Sequence, residues 1–164
     1  MINWKDAKVH VLSNGLHYGS GVFEGIRCYA GPEGSSVFRL RDHIKRLFYS
    51  AKCLEIKIPY TQKELETAVL ETIRNNNLKE CYIRPVAFCG YGKPDLDTRG
   101  SAINTAVITF PLKVILGNSG VSAIISHYRR LSPKSVPIDA KINGYYVNSI
   151  ITSLEAKKKN ALKK

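Results

Sequence analysis

The alternation of hydrophobic and polar positions predicts a small antiparallel sheet. Strand-like segments, either alternating or continuously apolar between turn residues, are 7–12, the second half of 16–29, 36–40, 81–89 and 102–110. The turn residues of 30–34 join two of these segments into a predicted hairpin. Pro85 lies inside the fourth segment and cannot donate to a strand ladder, so it predicts an edge strand or a bulge.

Two amphipathic helices are predicted between these strands. The first begins at Asp42, a candidate cap, and has apolar residues at helical spacing, namely Ile44, Leu47, Phe48, Ala51 and Leu54. The second opens at Thr61, which forms a capping box with Glu64, and ends in the asparagines 75–77. Because each helix has one apolar face, we expect both to pack on the sheet.

The C-terminal third predicts the beginning of a second structural unit. Residues 112–120 are typical of a connector, 121–126 predict a strand, and a last helix carries Val147, Ile150, Ile151, Leu154 and Ala156. One strand, one loop and one helix cannot bury their own apolar face. We therefore expect an α+β domain at 1–111, an interdomain loop at 112–120, and an incomplete second domain at 121–164.

Composition narrows the class of protein. The chain has 164 residues, of which 44% are hydrophobic and 23% charged, as in ordinary globular proteins. The net charge of +12 allows nucleic-acid binding, but the basic residues are not interleaved with aromatic ones and many lie in the tail, so a solvated charge is favoured. The four cysteines and four histidines show no metal-site spacing. Without a signal region or an apolar span in the sequence, we expect a cytoplasmic protein.

Three basic residues are candidates for chemistry, and each has a plainer interpretation. Lys141 lies between an extended segment containing Pro137 and the start of the last helix, a setting that can constrain an amine, yet the local sequence by itself favours a surface lysine before a helix. Arg46 sits between apolar helix positions, as a snorkelling arginine does. Arg84 lies within an apolar strand, where edge arginines usually point to solvent.

Several motifs, in chain order, resemble those of branched-chain amino acid aminotransferases of the class IV pyridoxal phosphate fold. They are Ala7-Lys8-Val9-His10-Val11, Leu16-His17-Tyr18-Gly19, Val22-Phe23-Glu24-Gly25-Ile26-Arg27-Cys28-Tyr29, Tyr82-Ile83-Arg84-Pro85 and Ala140-Lys141. The resemblance spans nearly the whole chain. It implies the family's small N-terminal domain, an antiparallel sheet with two helices, followed by the first elements of the large cofactor-binding domain.

The resemblance also implies roles for individual residues. Lys141 would bind pyridoxal phosphate covalently and move the proton at the substrate's alpha carbon, Arg46 would bind the cofactor phosphate, and Tyr146 would hydrogen-bond its phenolic oxygen. The implied substrate-pocket positions are Tyr18, Phe23, Tyr82 and Arg84. Arg84 would meet the side-chain carboxylate of glutamate. The implied reaction is reversible amino transfer between leucine, isoleucine or valine and 2-oxoglutarate.

Three departures from the family pattern qualify this expectation. Ile115 occupies the position of a pocket tyrosine, the family's opening strand before Trp4 is missing or reduced, and the sequence ends before the glutamate that pairs with the pyridine nitrogen. We therefore expect no competent transamination by this chain alone. It would act as a homo-oligomer or with a complementing C-terminal half. The alternatives are an inactive or split-gene fragment and, less favoured, a basic nucleic-acid-binding module.

Overall fold

The computed structural model describes residues 1–93, 95–112 and 121–159. Most of the predicted loop 112–120, including Ile115, lies outside these described residues, as does the end of the lysine-rich tail. What was expected of Ile115 therefore stays a prediction.

The described residues form two compact units. The first comprises Met1–Leu112 together with Asp139–Gly144, and the second comprises the described parts of Lys113–Ile138 and Tyr145–Lys164. The segment that contains Lys141 therefore belongs to the first unit. The domain limits 1–111, 112–120 and 121–164 stay a prediction.

The first unit is built on an antiparallel sheet. Its strands are β1 (Gly21–Phe23), β2 (Ile26–Gly31), β3 (Gly34–Val37), β4 (Cys81–Cys89) and β5 (Ile103–Pro111). Strand β4 lies at the centre, with β5 on one side and β1 followed by β2 on the other, and β3 pairs with the outer edge of β2. The predicted hairpin is confirmed as β2 and β3, with Tyr29 opposite Ser36. Its second strand ends at Val37, earlier than predicted, because Leu40 already begins a helix.

Strands β1 and β2 continue one line along β4, interrupted at Glu24 and Gly25. Phe23 lies opposite Val86 and Ile26 opposite Ile83, so the register is the same on both sides of the interruption. The prediction that Pro85 marks an edge or a bulge is wrong, since β4 is central and its pairing with β5 runs unbroken through Pro85. The carbonyl of Pro85 accepts from the Glu24 amide at 2.9 Å. The missing proline N–H therefore faces the interruption, where it costs no ladder bond.

Two helices, α2 (Leu40–Cys53) and α3 (Gln62–Asn75), contact each other and cover one face of this sheet. A short helix, α1 (Asn14–Tyr18), contacts β4. Along β4 the odd-numbered residues are buried and the even-numbered ones are half-buried, because successive side chains point to opposite faces. The helix-covered face holds the apolar core, which includes Val22, Ile26, Ile44, Leu47, Val69, Ile83 and Ala87.

The helix boundaries test the predicted caps. The capping box of α3 is confirmed, with Thr61 and Glu64 bonding each other's amides. Asp42 does not cap α2, because the helix starts two residues earlier behind Arg39, whose φ is 49°. The Asp42 carboxylate instead accepts from the Arg39 Nε at 2.7 Å.

Two predicted strands are absent from the described residues. Residues 7–12 form no ladder; Val9 and Val11 are exposed by 57% and 68%, and the Ser13 amide bonds locally to the His10 carbonyl at 2.9 Å. Residues 121–126 have no regular structure. An alternating pattern makes a strand only where a neighbouring strand supplies hydrogen bonds, and neither segment has one in the part that the structure describes.

The second unit contains one long helix, α4 (Tyr146–Lys158), as predicted. A stripe of its apolar side chains stays exposed, with Val147 at 62%, Ile150 at 56% and Leu154 at 50%. Near its end, hydrogen bonds from Ser126, Lys159 and His127 lower the pKa of the Glu155 carboxyl to about 2.

The searched residues give two further findings. None of the described helices combines the length and the apolar content that a membrane crossing requires. Likewise, the described part of the chain contains no group of three or more His, Cys, Asp or Glu residues arranged to hold a metal ion.

Candidate active site

Three of the predicted pocket residues meet on the face of the sheet opposite α2 and α3. Phe23 comes from β1, and Tyr82 and Arg84 are even-numbered residues of β4. The Arg84 guanidinium carbon lies 4.4 Å from the centroid of the Phe23 ring and 5.3 Å from that of Tyr82. Its Nη2 donates to the Tyr82 hydroxyl oxygen at 2.9 Å. The register of the sheet therefore builds a basic and aromatic cluster from residues about sixty positions apart.

Arg84 is not the solvent-directed edge arginine of the plainer interpretation. It is half-buried on a central strand, and its Nε is a buried donor without a hydrogen-bond partner among the described residues. An unpaired buried donor costs roughly 1–3 kcal/mol, so such groups usually mark a place where a ligand or water completes the bonding. The geometry suits a carboxylate, which can accept from both Nε and a terminal nitrogen.

Gly25 makes room for the Tyr82 hydroxyl. A Cβ placed on Gly25 would lie 2.1 Å from the hydroxyl oxygen of Tyr82 and 3.0 Å from its Cζ. Any side chain at this position would push the tyrosine away. The glycine at the interruption between β1 and β2 thus fixes where Tyr82 presents its hydroxyl, beside Arg84.

The Lys141 segment lies along the free edge of β1. Ile142 forms a bridge with Val22, and the Phe23 amide donates to the Lys141 carbonyl at 3.2 Å. The Lys141 amide donates to the Oγ of Ser50, a fully buried residue of α2, at 2.8 Å. The Lys141 Nζ lies 4.8 Å from the Phe23 ring centroid. The amide and the carbonyl of Lys141 are therefore both hydrogen-bonded, one to the Ser50 side chain and one to the Phe23 backbone, and its amine reaches the ring of Phe23.

Hydrogen bonds also tie the residues on either side of Lys141 to the rest of the first unit. The Tyr49 hydroxyl, next to Ser50, donates to the Asp139 carboxylate at 2.8 Å, and this bond raises the pKa of Tyr49 to about 12. On the other side, the Gly144 amide donates to the Gly19 carbonyl at 3.2 Å. Gly19 has a φ of 66°, and a Cβ there would lie 2.7 Å from the Gly144 Cα, so only glycine fits.

Arg46 is paired with a buried carboxylate. Its Nε lies 2.6 Å from Glu24 Oε1 and its Nη2 lies 2.8 Å from Oε2, while the His43 Nδ1 lies 2.8 Å from the same Oε2. The Glu24 side chain is fully buried, whereas that of Arg46 is 46% exposed. Arg46 is thus an ion-pair partner as well as a snorkelling side chain, and its exposed part can face an anion.

The two remaining predicted site residues are Tyr18 and Tyr146. Tyr18 is the last residue of α1, is 45% exposed, and has its ring centroid 6.1 Å from that of His17. Tyr146 is the first residue of α4, in the second unit, and is 37% exposed. The cluster built from the first unit therefore contains Phe23, Tyr82, Arg84 and Lys141.

Comparison with protein families adds an independent finding. The model of the family "Amino-transferase class IV" matches residues 21–162, most of the chain. The chain belongs to the class IV aminotransferase family. The enzymes of this family depend on pyridoxal phosphate. The fold and the resemblance expected from the motifs are confirmed.

Relatives of this class IV aminotransferase chain are branched-chain enzymes. It is 40% identical over 163 residues to the branched-chain-amino-acid aminotransferase of Escherichia coli K12, covering 96% of this chain and 53% of the relative. A crystal structure of the E. coli enzyme superposes with a TM-score of 0.95 at 38% identity, covering 99% of this chain and 55% of that one. The chain thus spans about half the length of the curated relatives it matches.

A third similar structure is named for a bound cofactor derivative. The T.th. branched-chain amino acid aminotransferase complexed with N-(5'-phosphopyridoxyl)-L-glutamate has a TM-score of 0.92 and 36% identity, and the match covers 98% of this chain and 53% of that one.

Sequence motifs did not identify several residues that hold the site of this class IV aminotransferase chain in place. Ser50, Tyr49, Asp139 and His43 carry no sequence signal of their own, because their partners are distant in the chain. Glu24 did carry one. It shares the inward face of its strand line with Val22 and Ile26, and a charged residue at a buried position requires a paired partner.

Proposed function

We propose that this chain supplies the N-terminal portion of a branched-chain amino acid aminotransferase. The whole enzyme would transfer the amino group of leucine, isoleucine or valine to 2-oxoglutarate, reversibly and with pyridoxal phosphate. The observation that carries the proposal is that the Lys141 amine and the Arg84 guanidinium both lie within 5 Å of the Phe23 ring centroid, at 4.8 and 4.4 Å. Membership of the class IV family makes this amine the candidate for cofactor attachment.

Residues of the first unit fit pyridoxal phosphate. Lys141 supplies an amine on a segment fixed by hydrogen bonds to Ser50 and Phe23. Arg46 supplies an oriented and partly exposed guanidinium for the phosphate. Tyr146 supplies a phenol for the phenolic oxygen of the cofactor, an assignment that rests on the resemblance. When bound, the cofactor serves as the electron sink for the negative charge at the substrate's alpha carbon.

The chain's own residues would then bind the substrate and move its proton. The Lys141 amine accepts the proton from the substrate's alpha carbon, so its position over Phe23 determines which C–H bond it reaches. Phe23 and Tyr82 offer the aromatic wall that suits an aliphatic side chain. Arg84, through its unpartnered Nε, binds the side-chain carboxylate of glutamate. One pocket thereby serves both halves of the reaction.

The whole enzyme requires further structure around this unit. We propose a homo-oligomer or a complementing C-terminal half as the partner, with Tyr18 serving a neighbouring subunit. Large exposed apolar side chains support this, since Trp4 is 73% exposed and Leu16 63%. A cytoplasmic location is part of the proposal, supported by four cysteines that are free thiols.

An activity assay with a matched lysine control tests the function. The chain is mixed with pyridoxal phosphate and the C-terminal half of the E. coli relative, and amino transfer from leucine to 2-oxoglutarate is measured. Lys141→Ala should lower the rate by at least about 100-fold, as expected for loss of a general base. Lys52→Ala, at an exposed position of α2, should leave it unchanged. Transfer that survives Lys141→Ala, or none by the unmodified pair, would contradict the proposal.

A further inference from the structure

Glu24 is a buried carboxylate for which the proposed function has no role. It lies at the interruption between β1 and β2, on the face covered by α2, with its side chain fully buried. Burial raises the pKa of this carboxyl, but hydrogen bonds from Arg46 and His43 outweigh burial and leave the pKa below its ordinary value. Glu24 is therefore ionised at neutral pH, and its charge is directed at the guanidinium of Arg46.

We propose that Glu24 is a positioning residue that fixes the plane of the Arg46 guanidinium for the phosphate of pyridoxal phosphate. The inference rests on the proposed function, in which Arg46 binds that phosphate. Glu24 itself touches neither cofactor nor substrate. It acts through the paired contacts at 2.6 and 2.8 Å to Arg46 Nε and Nη2.

The geometry of the pair supports orientation more than stability. A free arginine has several rotatable bonds, and a phosphate that binds it must pay for ordering them. Two parallel contacts to a carboxylate fix both the position and the plane of the guanidinium before the anion arrives. A buried ion pair is by itself weak evidence for stability, because apolar residues of similar volume often serve as well. Fixing a half-exposed arginine is what this buried carboxylate does that an apolar residue could not.

His43 gives Glu24 a second anchor. Its Nδ1 contacts the same Oε2 that accepts from Arg46 Nη2, and the Gly25 amide approaches that oxygen at 3.2 Å. The carboxylate is thus held from the helix and from the strand together. Replacing it with an amide would keep its shape but present an N–H group to the Nε or the Nη2 of Arg46, which are themselves donors. The guanidinium would then have to rotate.

A pair of matched variants of the intact 164-residue chain tests this inference. Dissociation constants for pyridoxal phosphate and pyridoxal are measured, and their ratio gives the preference for the phosphate. Glu24→Gln should reduce this preference about 10-fold, as expected for a charge-assisted contact. The control is Glu155→Gln, which removes another buried and multiply bonded carboxylate in the second unit. It should leave the preference unchanged.

Two further measurements separate positioning from folding. In Glu24→Gln, the side-chain Nε–H of Arg46, followed by nitrogen-15 NMR, should exchange faster with solvent than in the unmodified chain. If that variant does not fold, Arg46→Lys tests the paired contact between Arg46 and Glu24 with Glu24 intact. This substitution keeps the positive charge and removes the planar guanidinium. It should lose the phosphate preference by a similar factor, and a lysine that binds as well as arginine would overturn the inference.

The outcomes distinguish this inference from the proposed function. If the unmodified chain prefers pyridoxal phosphate and Glu24→Gln keeps that preference, only the positioning role of Glu24 is overturned. If the unmodified chain binds both compounds equally, or neither, the phosphate role of Arg46 fails, and the inference about Glu24 fails with it.

Discussion

Phe23 contacts Lys141 at two points, one in the backbone and one through its ring. The Phe23 amide donates to the Lys141 carbonyl at 3.2 Å, and the Lys141 Nζ lies 4.8 Å from the Phe23 ring centroid. A cation over an aromatic face is attracted to it by roughly 0.5–2 kcal/mol, depending on solvent access. The same strand residue therefore sets both the path of the lysine segment and the place of the amine.

Ser50→Ala should loosen the Lys141 segment. The substitution removes the hydroxyl oxygen that accepts from the Lys141 amide at 2.8 Å, and we expect a loss of about 1 kcal/mol in the free energy of unfolding. Denaturant unfolding measures this loss, and reductive trapping of pyridoxal phosphate on Lys141 should fall in parallel. Ser50→Thr keeps the hydroxyl and serves as the control. Trapping that is unaffected by Ser50→Ala would show that the hydroxyl does not position the lysine.

Gly25→Ala should displace Tyr82. The new Cβ would lie 2.1 Å from the Tyr82 hydroxyl oxygen, so the ring must shift, at a cost of about 1–3 kcal/mol in the free energy of unfolding. The same substitution in a Tyr82→Phe background should cost less, because the closest atom is then gone. Equal costs in the two backgrounds would place the strain of Gly25→Ala elsewhere.

Arg84→Lys should separate the two amino donors. Lysine keeps the charge but cannot offer the paired donors of the arginine Nε and terminal nitrogens to a carboxylate. In the assembled enzyme we expect kcat/KM for glutamate to fall at least about 10-fold, while that for leucine changes much less. Steady-state kinetics with each amino acid measures this. Equal losses for both donors would assign Arg84 a structural role.

The Tyr49 to Asp139 contact predicts a signature at high pH. The hydroxyl is protonated when it donates to the carboxylate, and this bond raises its pKa to about 12, above the ordinary value of about 10. Its contribution to stability is therefore fully present below pH ~10 and is lost as the pH rises through ~12. An ultraviolet titration of the unmodified chain minus that of Tyr49→Phe should show one tyrosine ionising near the higher value. Asp139→Asn should bring it back toward the ordinary one.

The sequence predicted the elements that depend on local signals. The capping box of α3, the hairpin of β2 and β3, and the apolar face of α2 were each readable from a few neighbouring residues. The segments 7–12 and 121–126 were not, because a strand exists only with a partner, and that depends on distant parts of the chain.

The candidate site shows the same division. Motifs identified Lys141, Phe23, Tyr82 and Arg84, which the first unit brings together. The residues that hold them were missed because they act across long stretches of sequence, as Ser50 does for Lys141, 91 positions away. An acidic residue at a predicted buried position, such as Glu24, does indicate that a partner for its charge exists, but the sequence does not show which residue that partner is.

Trapping of pyridoxal phosphate on the 164-residue chain tests the central claim, that the first unit already places Lys141 for cofactor attachment. The chain is titrated with pyridoxal phosphate, reduced with borohydride, digested and mapped by mass spectrometry. We expect visible absorbance that saturates and a label concentrated on Lys141, with little on Lys157, Lys158 or Lys159. Absence of a saturable signal, or a label spread over these tail lysines as much as over Lys141, would contradict the claim.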